Sequence, residues 1–127
     1  MGRSMTVLFA SGIEGTTEML RVFGPGVEVA STTFAFEKAL ESRVFDAIFI
    51  SVALPDAFGL VTLVRQRSPH VPIVCISVGS RARSRLSQGT VTGLHAAATC
   101  AGARGYVDFL AHDDDESIRS AVAVLVR

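Results

Sequence analysis

Two serine hydroxyls that end apolar runs are the side chains best placed for chemistry in this chain of 127 residues. Ser51 closes the run that begins at Ala47, and Ser77 closes the run that follows Pro72. A serine hydroxyl is a poor nucleophile unless a neighbouring base takes its proton. The histidines that could act as that base lie in three separate segments, at His70, His95 and His112. Of these only His112 is expected at the same end of the fold as the two serines. Because the histidines show no spacing typical of a catalytic or metal site, we expect neither an enzyme nor a metal site.

The stretch Ser11–Glu18 combines glycines and hydroxyls before an amphipathic segment. Hydroxyls and backbone amides at the start of a helix suit a phosphate group. The stretch resembles the phosphate-binding loop of flavodoxins, although it is one residue longer. Flavin stacking calls for aromatic neighbours, and the chain has no Trp and one Tyr. A small flavin- or nucleotide-binding protein is therefore the alternative function, and a plain helix start is the simpler interpretation.

The composition predicts one compact domain. Apolar residues make up 49% of the chain and charged residues 19%, which favours a packed core over disorder. Residues 1–4 are expected to be an added N-terminal remnant, because Met5 is a suitable natural start, and the domain is assigned to residues 5–127. No apolar run approaches the roughly 20 residues that span a bilayer, and no signal pattern opens the chain. We expect a cytoplasmic protein in which Cys75 and Cys100 remain thiols.

Apolar runs alternate with amphipathic stretches along the whole chain. Strands are predicted at Thr6–Ala10, Val27–Ala30, Ala47–Val52, Val71–Val78 and Tyr106–Leu110. Helices are predicted at Glu14–Phe23, from Thr32 or Thr33 onward, and at Gly59–Arg67, Leu94–Ala101 and Ser117–Val126. Such alternation predicts an α/β fold with a parallel sheet covered on both faces. The loops after the strands, at Ser11, Ser51, Ser77 and Phe109, should then share one edge of the sheet.

Three segments give the chain a family resemblance. Phe45–Gly59, Ser68–Ser77 and Gly102–Val107 resemble the third strand with its loop, the fourth strand and the approach to the fifth strand of response-regulator receiver domains. The resemblance implies a flavodoxin-like sheet in the order 2-1-3-4-5 and a role in two-component signalling and phosphorelays. The third segment is most similar to receivers that carry a C-terminal helix-turn-helix, so a DNA-binding output domain in a longer parent chain is compatible with it.

The resemblance also implies which positions would carry phosphoryl transfer. The acceptor aspartate corresponds to Ser51, the acidic pair that holds Mg²⁺ to Ser11 and Gly12, and the phosphate-binding lysine to Phe109. Octahedral Mg²⁺ needs oxygen ligands, which carboxylates supply, and the transferring group needs charge neutralisation. Each of these charged groups is replaced here by a neutral residue. The sequence therefore predicts a pseudo-receiver that signals through protein–protein interaction without aspartyl phosphorylation and without a cofactor.

Two switch positions of the family keep their residue types, and two carboxylates lie near the replaced ones. The switch hydroxyl corresponds to Ser77 and the switch aromatic to Tyr106. Asp56 is expected in the turn before the third helix, outside the pocket. Asp108 and Phe109 are neighbours in a predicted strand and should point to opposite faces. Neither carboxylate is predicted to replace the acceptor.

Charge is unevenly distributed although the net charge is zero. No acidic residue occurs between Asp56 and Asp108, an interval that contains six arginines. Receivers commonly interact through the fourth helix, fifth strand and fifth helix, and the resemblance assigns this face to Arg81, Arg83, Arg85 and Arg104. We expect a dimer or an acidic protein partner there. The sequence leaves open the partner, the pathway and any small ligand of the degenerate pocket.

Overall fold

A computed structural model describes residues 7–10, 16–42, 44–54, 56–78 and 88–126. The described strands form one parallel sheet in the order β2-β1-β3-β4-β5. They are β1 (Val7–Ala10), β2 (Val27–Ala30), β3 (Ala47–Ser51), β4 (Ile73–Ser77) and β5 (Gly105–Asp108). Short runs of β-branched and aromatic residues form these strands, and β3 and β4 are buried along their whole length. The α/β class predicted from the alternating pattern is confirmed.

Helices connect the strands and cover both faces of the sheet. They are α1 (Thr16–Phe23), α2 (Thr33–Ser42), α3 (Ala57–Arg67), α4 (Gln88–Ala101) and α5 (Asp115–Val126). Two short 3₁₀ turns, Gly24–Gly26 and Phe109–Ala111, follow α1 and β5. Thr32 caps α2 by accepting a hydrogen bond from the amide of Ala35 at 3.0 Å.

The two faces of the sheet carry separate apolar clusters. Ile48 and Ile50 of β3 pack in the cluster that includes residues of α2, α3 and α4. Ala47 and Phe49 alternate with them and pack in the cluster that includes residues of α1 and α5. Residues two apart on a strand share a face, so β3 contributes side chains to both clusters. Met19 of α1 is fully buried, whereas the neighbouring Leu20 is 43% exposed.

The strand register brings the carboxyl ends of three strands to one edge. Ser51 of β3 is paired with Ile76 of β4, and Ser77 of β4 is paired with Asp108 of β5. Parallel strands that end at the same level place their following loops side by side. Ser51, Ser77 and Asp108 therefore lie along the same edge, which we call the carboxyl edge of the sheet.

Helix α4 begins earlier than the sequence pattern predicted. The irregular connection was expected to extend to Gly93, yet the helix starts at Gln88. Val91 and Leu94 pack against the buried cluster beneath them, together with Ala98. That spacing continues the apolar stripe of α4 toward its N-terminus. Tertiary packing thus outweighs the low helix propensity of Gly89 and Gly93. Residues 79–87 of the predicted connection lie outside the described residues.

Strand β5 is shorter than predicted. It ends at Asp108, and Phe109 begins a 3₁₀ turn instead of extending the strand to Leu110. The Asp108 carboxylate accepts a hydrogen bond from the backbone amide of Leu110 at 3.1 Å. A short acidic side chain that bonds its own backbone two residues on favours a turn over continued pairing.

Polar contacts join α1 to α5. Arg21 donates two hydrogen bonds to the Asp115 carboxylate, at 2.9 and 3.1 Å, and lowers the pKa of that carboxyl. Arg119 donates to the carbonyl of Val22 at 3.1 Å. Asp114 caps α5 by accepting from the amide of Ser117 at 2.8 Å, which lowers the pKa of Asp114. Asp114 and Asp115 therefore stabilise the start of α5.

Candidate functional site

The carboxyl edge of the sheet gathers three buried polar side chains. Ser51 and Ser77 are each 6% exposed, and Asp108 is 4% exposed. Polar groups are buried at a cost unless they are hydrogen-bonded, so their clustering at one edge marks this edge as the candidate site.

Hydrogen bonds fix the two serines. The Tyr106 hydroxyl donates to the Ser77 hydroxyl oxygen across β4 and β5, and both side chains are buried. The Ser51 hydroxyl oxygen accepts from the backbone amide of Ala53 at 3.3 Å, which holds it in the turn after β3. The described hydrogen bond of Ser51 joins it to a backbone amide, and an amide is not the base that a serine nucleophile needs. The two positions that the resemblance assigned to the switch are thus in direct contact.

Phe109 packs on the α1 and α5 side of the sheet. Its ring centroid lies 6.4 Å from that of Phe23, which in turn lies 5.0 Å from the ring of Phe49 in an edge-on arrangement. Aromatic pairs at these separations stabilise a core beyond the area they bury. The ring is 6% exposed and belongs to the cluster that contains Ile118 and Val122. The residue that the resemblance assigns to the lysine position therefore belongs to the apolar core.

Asp108 is the residue at this edge that the sequence did not select. It was expected on the opposite face from Phe109, and the register pairs it with Ser77 while Phe109 joins the α1 and α5 cluster. Tyr106 and Asp108 are two residues apart in one strand, so they share a face. This two-residue spacing can be read from the sequence and could have identified Asp108. It places the Asp108 carboxylate beside Ser77.

Other predicted site residues lie away from this edge or outside the described residues. Ser11, Gly12, Arg81, Arg83 and Arg85 are outside the described residues. Arg104 is exposed at the start of β5, the opposite end of that strand from Asp108, and its amide donates to the carbonyl of Ile73 at 2.7 Å. Asp56 is exposed at the start of α3. Within the described chain, the structure therefore brings together Ser51, Ser77, Tyr106 and Asp108, and separates Arg104 from them.

Two arginines between Asp56 and Asp108 form hydrogen bonds or ion pairs within the protein. Arg65 donates to the carbonyl of Gly102 from Nε at 3.2 Å and from Nη2 at 2.7 Å. Its Nη1 reaches three more carbonyls, those of Ser68, Pro69 and Val71. Arg67 forms an ion pair with Glu41 at 3.0 Å. The guanidinium of Arg65 therefore binds backbone carbonyls of its own fold.

Comparison with known proteins gives structural matches. No protein-family model and no curated protein matches the sequence. The structure is similar to HP1043, an orphan response regulator of H. pylori, with a TM-score of 0.68, 13% identity and coverage of 99% of this chain and 100% of that one. It is similar to the receiver domain of the sensor histidine kinase PA1611 from Pseudomonas aeruginosa PAO1, which holds a magnesium ion in its active-site cleft, with a TM-score of 0.68, 16% identity and 98% coverage of both chains. NtrX from Brucella abortus matches with a TM-score of 0.73 and 13% identity over 98% of this chain and 26% of that longer chain.

The chain has the receiver-domain fold. The fold expected from Phe45–Gly59, Ser68–Ser77 and Gly102–Val107 is thereby confirmed, and at these identities the likeness concerns the fold alone. Within a receiver fold the carboxyl edge is where a phospho-acceptor and its metal ligands would be sought. In this receiver fold the same edge presents Ser51, Ser77 and Asp108.

The described part of the carboxyl edge lacks the set of carboxylate ligands that octahedral Mg²⁺ prefers. The described part of the edge offers one carboxylate, Asp108, one oxygen of which is bonded to the amide of Leu110. Among the residues that the structure describes, no group of three or more His, Cys, Asp or Glu side chains is arranged to hold a metal ion. Mg²⁺ is bound by carboxylates and water in strict octahedral geometry, and hydroxyls such as Ser51 and Ser77 are weaker ligands.

Proposed function

We propose that this protein is a pseudo-receiver of a signal-transduction pathway, which acts through protein–protein interaction and does not accept a phosphoryl group on an aspartate. The receiver fold supports a signalling role. The residue types at the carboxyl edge support the loss of phosphoryl transfer to an aspartate. A flavin- or nucleotide-binding function gains no support from the structural matches. Under this proposal the protein is not an enzyme and needs no cofactor.

The observation that carries the proposal is the pair of substitutions at Ser51 and Phe109. Ser51 occupies the end of β3, where the resemblance places the acceptor, and its hydroxyl is bonded to the backbone of its own turn. Phe109 fills the lysine position with an aromatic ring that packs on Phe23. A transferring phosphoryl group is stabilised by positioned positive charge, and this arrangement offers an apolar surface in its place.

We expect no phosphorylation when the protein is incubated with acetyl phosphate and Mg²⁺. The neutral side chains at the acceptor, acidic-pair and lysine positions leave neither a nucleophile nor its charge partners. Intact-mass spectrometry at neutral pH should give the unmodified mass after an incubation that fully labels an active receiver domain. Changing Ser51 to Asp should leave this result unchanged, because the metal ligands and the lysine are also replaced.

A mass gain of one phosphoryl group would contradict the proposal. Asp56→Asn and Asp108→Asn variants then identify the acceptor, since these are the carboxylates that follow β3 and end β5. Loss of the added mass in Asp108→Asn alone would move the acceptor to the fifth strand. Loss in Asp56→Asn alone would place it at the start of α3.

The proposed interaction surface is formed by α4, β5 and α5. Strand β5 lies at the edge of the sheet, and a Cβ atom at Gly105 would lie 2.9 Å from His95 of α4 and 3.0 Å from Leu125 of α5. Helix α4 contains no Asp, Glu, Lys or Arg, and its described residues are mostly exposed. Val124 of α5 is also exposed. A largely uncharged exposed helix beside an edge strand favours a protein partner, including a second copy.

Substitution of Ala97 by Arg should weaken self-association through this surface. Ala97 is exposed on α4, and a charged side chain in an uncharged interface is desolvated without a partner. We expect the dissociation constant of the dimer to rise about tenfold or more, measured by size-exclusion chromatography with light scattering. Gln66→Arg, at an exposed position of α3, is the matched control and should behave as the unaltered protein. A strict monomer at high micromolar concentration would argue against self-association in favour of a different protein partner.

Receiver-like domains can be parts of longer proteins. The match to NtrX covers 26% of that chain, so domains of this fold occur within longer proteins. We propose that the protein either works alone or belongs to a longer parent chain with a DNA-binding output domain, in the cytoplasm. Among the described helices none is sufficiently long and apolar to cross a membrane.

A further inference from the structure

Helix α4, which belongs to the proposed interaction surface, depends on the rest of the protein for its position. Gly93 lies inside the helix, and a Cβ atom there would meet nothing within 4 Å, so the packing of the fold does not require this glycine. Glycine, threonine and valine are poorer helix formers than alanine, and a helix without charged side chains has no ion pairs between its turns. Of its described residues Ala98 alone is buried. Contacts at a few points therefore determine where α4 lies.

One of these points is the turn that ends α4. Gly102 adopts a φ of 116°, and its amide donates to the carbonyl of Thr99 at 3.1 Å. The amide of Ala103 donates to the carbonyl of Ala98 at 2.9 Å. This pair of hydrogen bonds is the Schellman arrangement, in which a glycine with positive φ ends a helix. Residues 102–104 alone lead from α4 to β5, so the orientation of the helix on the sheet depends on this turn.

Arg65 of α3 holds this turn from outside α4. Its Nε and Nη2 donate to the carbonyl of Gly102 at 3.2 and 2.7 Å. A Cβ atom at Gly102 would lie 3.5 Å from both Cγ and Nε of Arg65, so the arginine side chain rests against this glycine. Its Nη1 donates into the connection from α3 to β4, to the carbonyls of Pro69 at 2.7 Å and Val71 at 3.0 Å. One planar group therefore fixes the end of α4 to the connection beside it.

We propose that Arg65 is a positioning residue for the interaction surface, which orders and orients α4 without belonging to that surface. This inference rests on the proposed function, because it gives the contacts at the end of α4 a role in the interaction. A surface that is ordered before its partner binds loses less entropy on association. Loss of Arg65 should therefore weaken the interaction, in addition to lowering the stability of the fold.

Amide hydrogen exchange followed by ¹H–¹⁵N NMR tests this role, because exchange reports local opening of a helix separately from global unfolding. In Arg65→Ala we expect the protection of the amides of residues 94–101 to fall about tenfold or more. Arg65→Lys should show a smaller loss of the same sign, about threefold, since an ammonium lacks the planar fork of the guanidinium. This second variant decides the matter if Arg65→Ala does not fold.

Control variants separate positioning of α4 from a general loss of stability. Arg67→Ala removes an exposed arginine that is paired with Glu41, and it should leave the protection of α4 unchanged. Phe36 is buried on α2, which packs on β1 and β2, so Phe36→Leu should lower global stability and spare the protection of α4. Gly93→Ala should raise this protection about fivefold and should offset part of the loss when it is combined with Arg65→Ala.

The dissociation constant of the dimer tests the link to the proposed function. In a self-associating protein Arg65→Ala should raise this constant about fivefold or more, and Phe36→Leu should leave it unchanged. The inference is overturned if neither Arg65 variant lowers the protection of α4, if Phe36→Leu lowers it as much as they do, or if Arg65→Ala leaves the dissociation constant unchanged. In a strictly monomeric protein self-association fails, and the exchange measurement alone supports or overturns the role of Arg65.

Discussion

Replacing Arg65 by Ala should lower the free energy of unfolding by about 3 kcal/mol. Arg65 bonds the carbonyl oxygens of four residues, Ser68, Pro69, Val71 and Gly102. A hydrogen bond from a charged donor contributes about 1.5–3 kcal/mol, and these bonds share one side chain, so their sum is not expected in full. Carbonyls left without their donor in a partly buried setting add to the loss.

These contacts join segments that are distant in the sequence. Gly102 ends α4 with a φ of 116°, a conformation that glycine adopts readily, and its carbonyl accepts both Nε and Nη2 of Arg65. Burial, and after it the charge of Arg104, lowers the pKa of Arg65. The guanidinium nevertheless stays charged at neutral pH, because an arginine pKa lies so far above it. Arg65 is thus the link between the end of α3, the start of β4 and the end of α4.

Urea unfolding followed by circular dichroism measures the loss as a lower midpoint at an unchanged slope. Arg65→Lys should lose about 2 kcal/mol, since one ammonium cannot reach carbonyls on both sides as the planar fork does. Arg67→Ala is the matched control two residues away. Its exposed ion pair with Glu41 should contribute about 0.5 kcal/mol. Equal midpoints for Arg65→Ala and Arg67→Ala would show that the carbonyl contacts do not stabilise the fold.

The sequence was sufficient for the α/β class because local patterns determine it. Val27–Ala30 was predicted with the bounds that the structure has, and the runs around Ile48 and Ile73 were long enough to mark strands buried on both faces. The carboxyl edge followed from topology, since parallel strands end together. The sequence was therefore enough to place Ser51 and Ser77 on the same edge of the sheet.

The predicted start of α4 and the predicted end of β5 were wrong, because tertiary contacts determine both boundaries. The start of α4 at Gln88 depends on Val91 finding a buried neighbour, which no local propensity reports. The end of β5 depends on the Asp108 side chain bonding the amide of Leu110, and the apolar pattern there predicted a longer strand. In both places a single contact outweighs the average preference of the segment.

The roles of polar side chains were the least predictable part. Arg65 lies in an interval that contains five other arginines, and its acceptor, the carbonyl of Gly102, is 37 residues away. Asp108 looked like an ordinary strand residue, and its burial beside Ser77 follows from a register that the sequence alone does not specify. A count of charges along the chain does not reveal such contacts, since ion pairs and hydrogen bonds are made in three dimensions.

Replacing Phe109 by Lys should destabilise the protein by about 3 kcal/mol and should not restore phosphorylation. The ring is nearly fully buried between Phe23 and the cluster that contains Ile118 and Val122. A lysine there leaves part of the ring volume empty and must either bury its ammonium or extend it toward the carboxyl edge. The Phe109→Lys and Ser51→Asp double variant should also fail to gain mass with acetyl phosphate, because Ser11 and Gly12 still stand at the acidic-pair positions.

Comparison with Phe109→Leu separates the effect of charge from that of volume. Leucine keeps the site apolar and should cost about 1 kcal/mol in urea unfolding. Burial lowers the pKa of the introduced lysine in the folded state relative to the unfolded state, so the unfolded state binds more protons between the two pKa values. The stability of Phe109→Lys should therefore rise relative to Phe109→Leu as the pH increases from 7 toward 10.4, the ordinary pKa of lysine. A difference that does not change with pH would mean that the ammonium reaches solvent at the carboxyl edge, where a receiver lysine would meet a phosphoryl group, and that Phe109 blocks this edge by its shape alone.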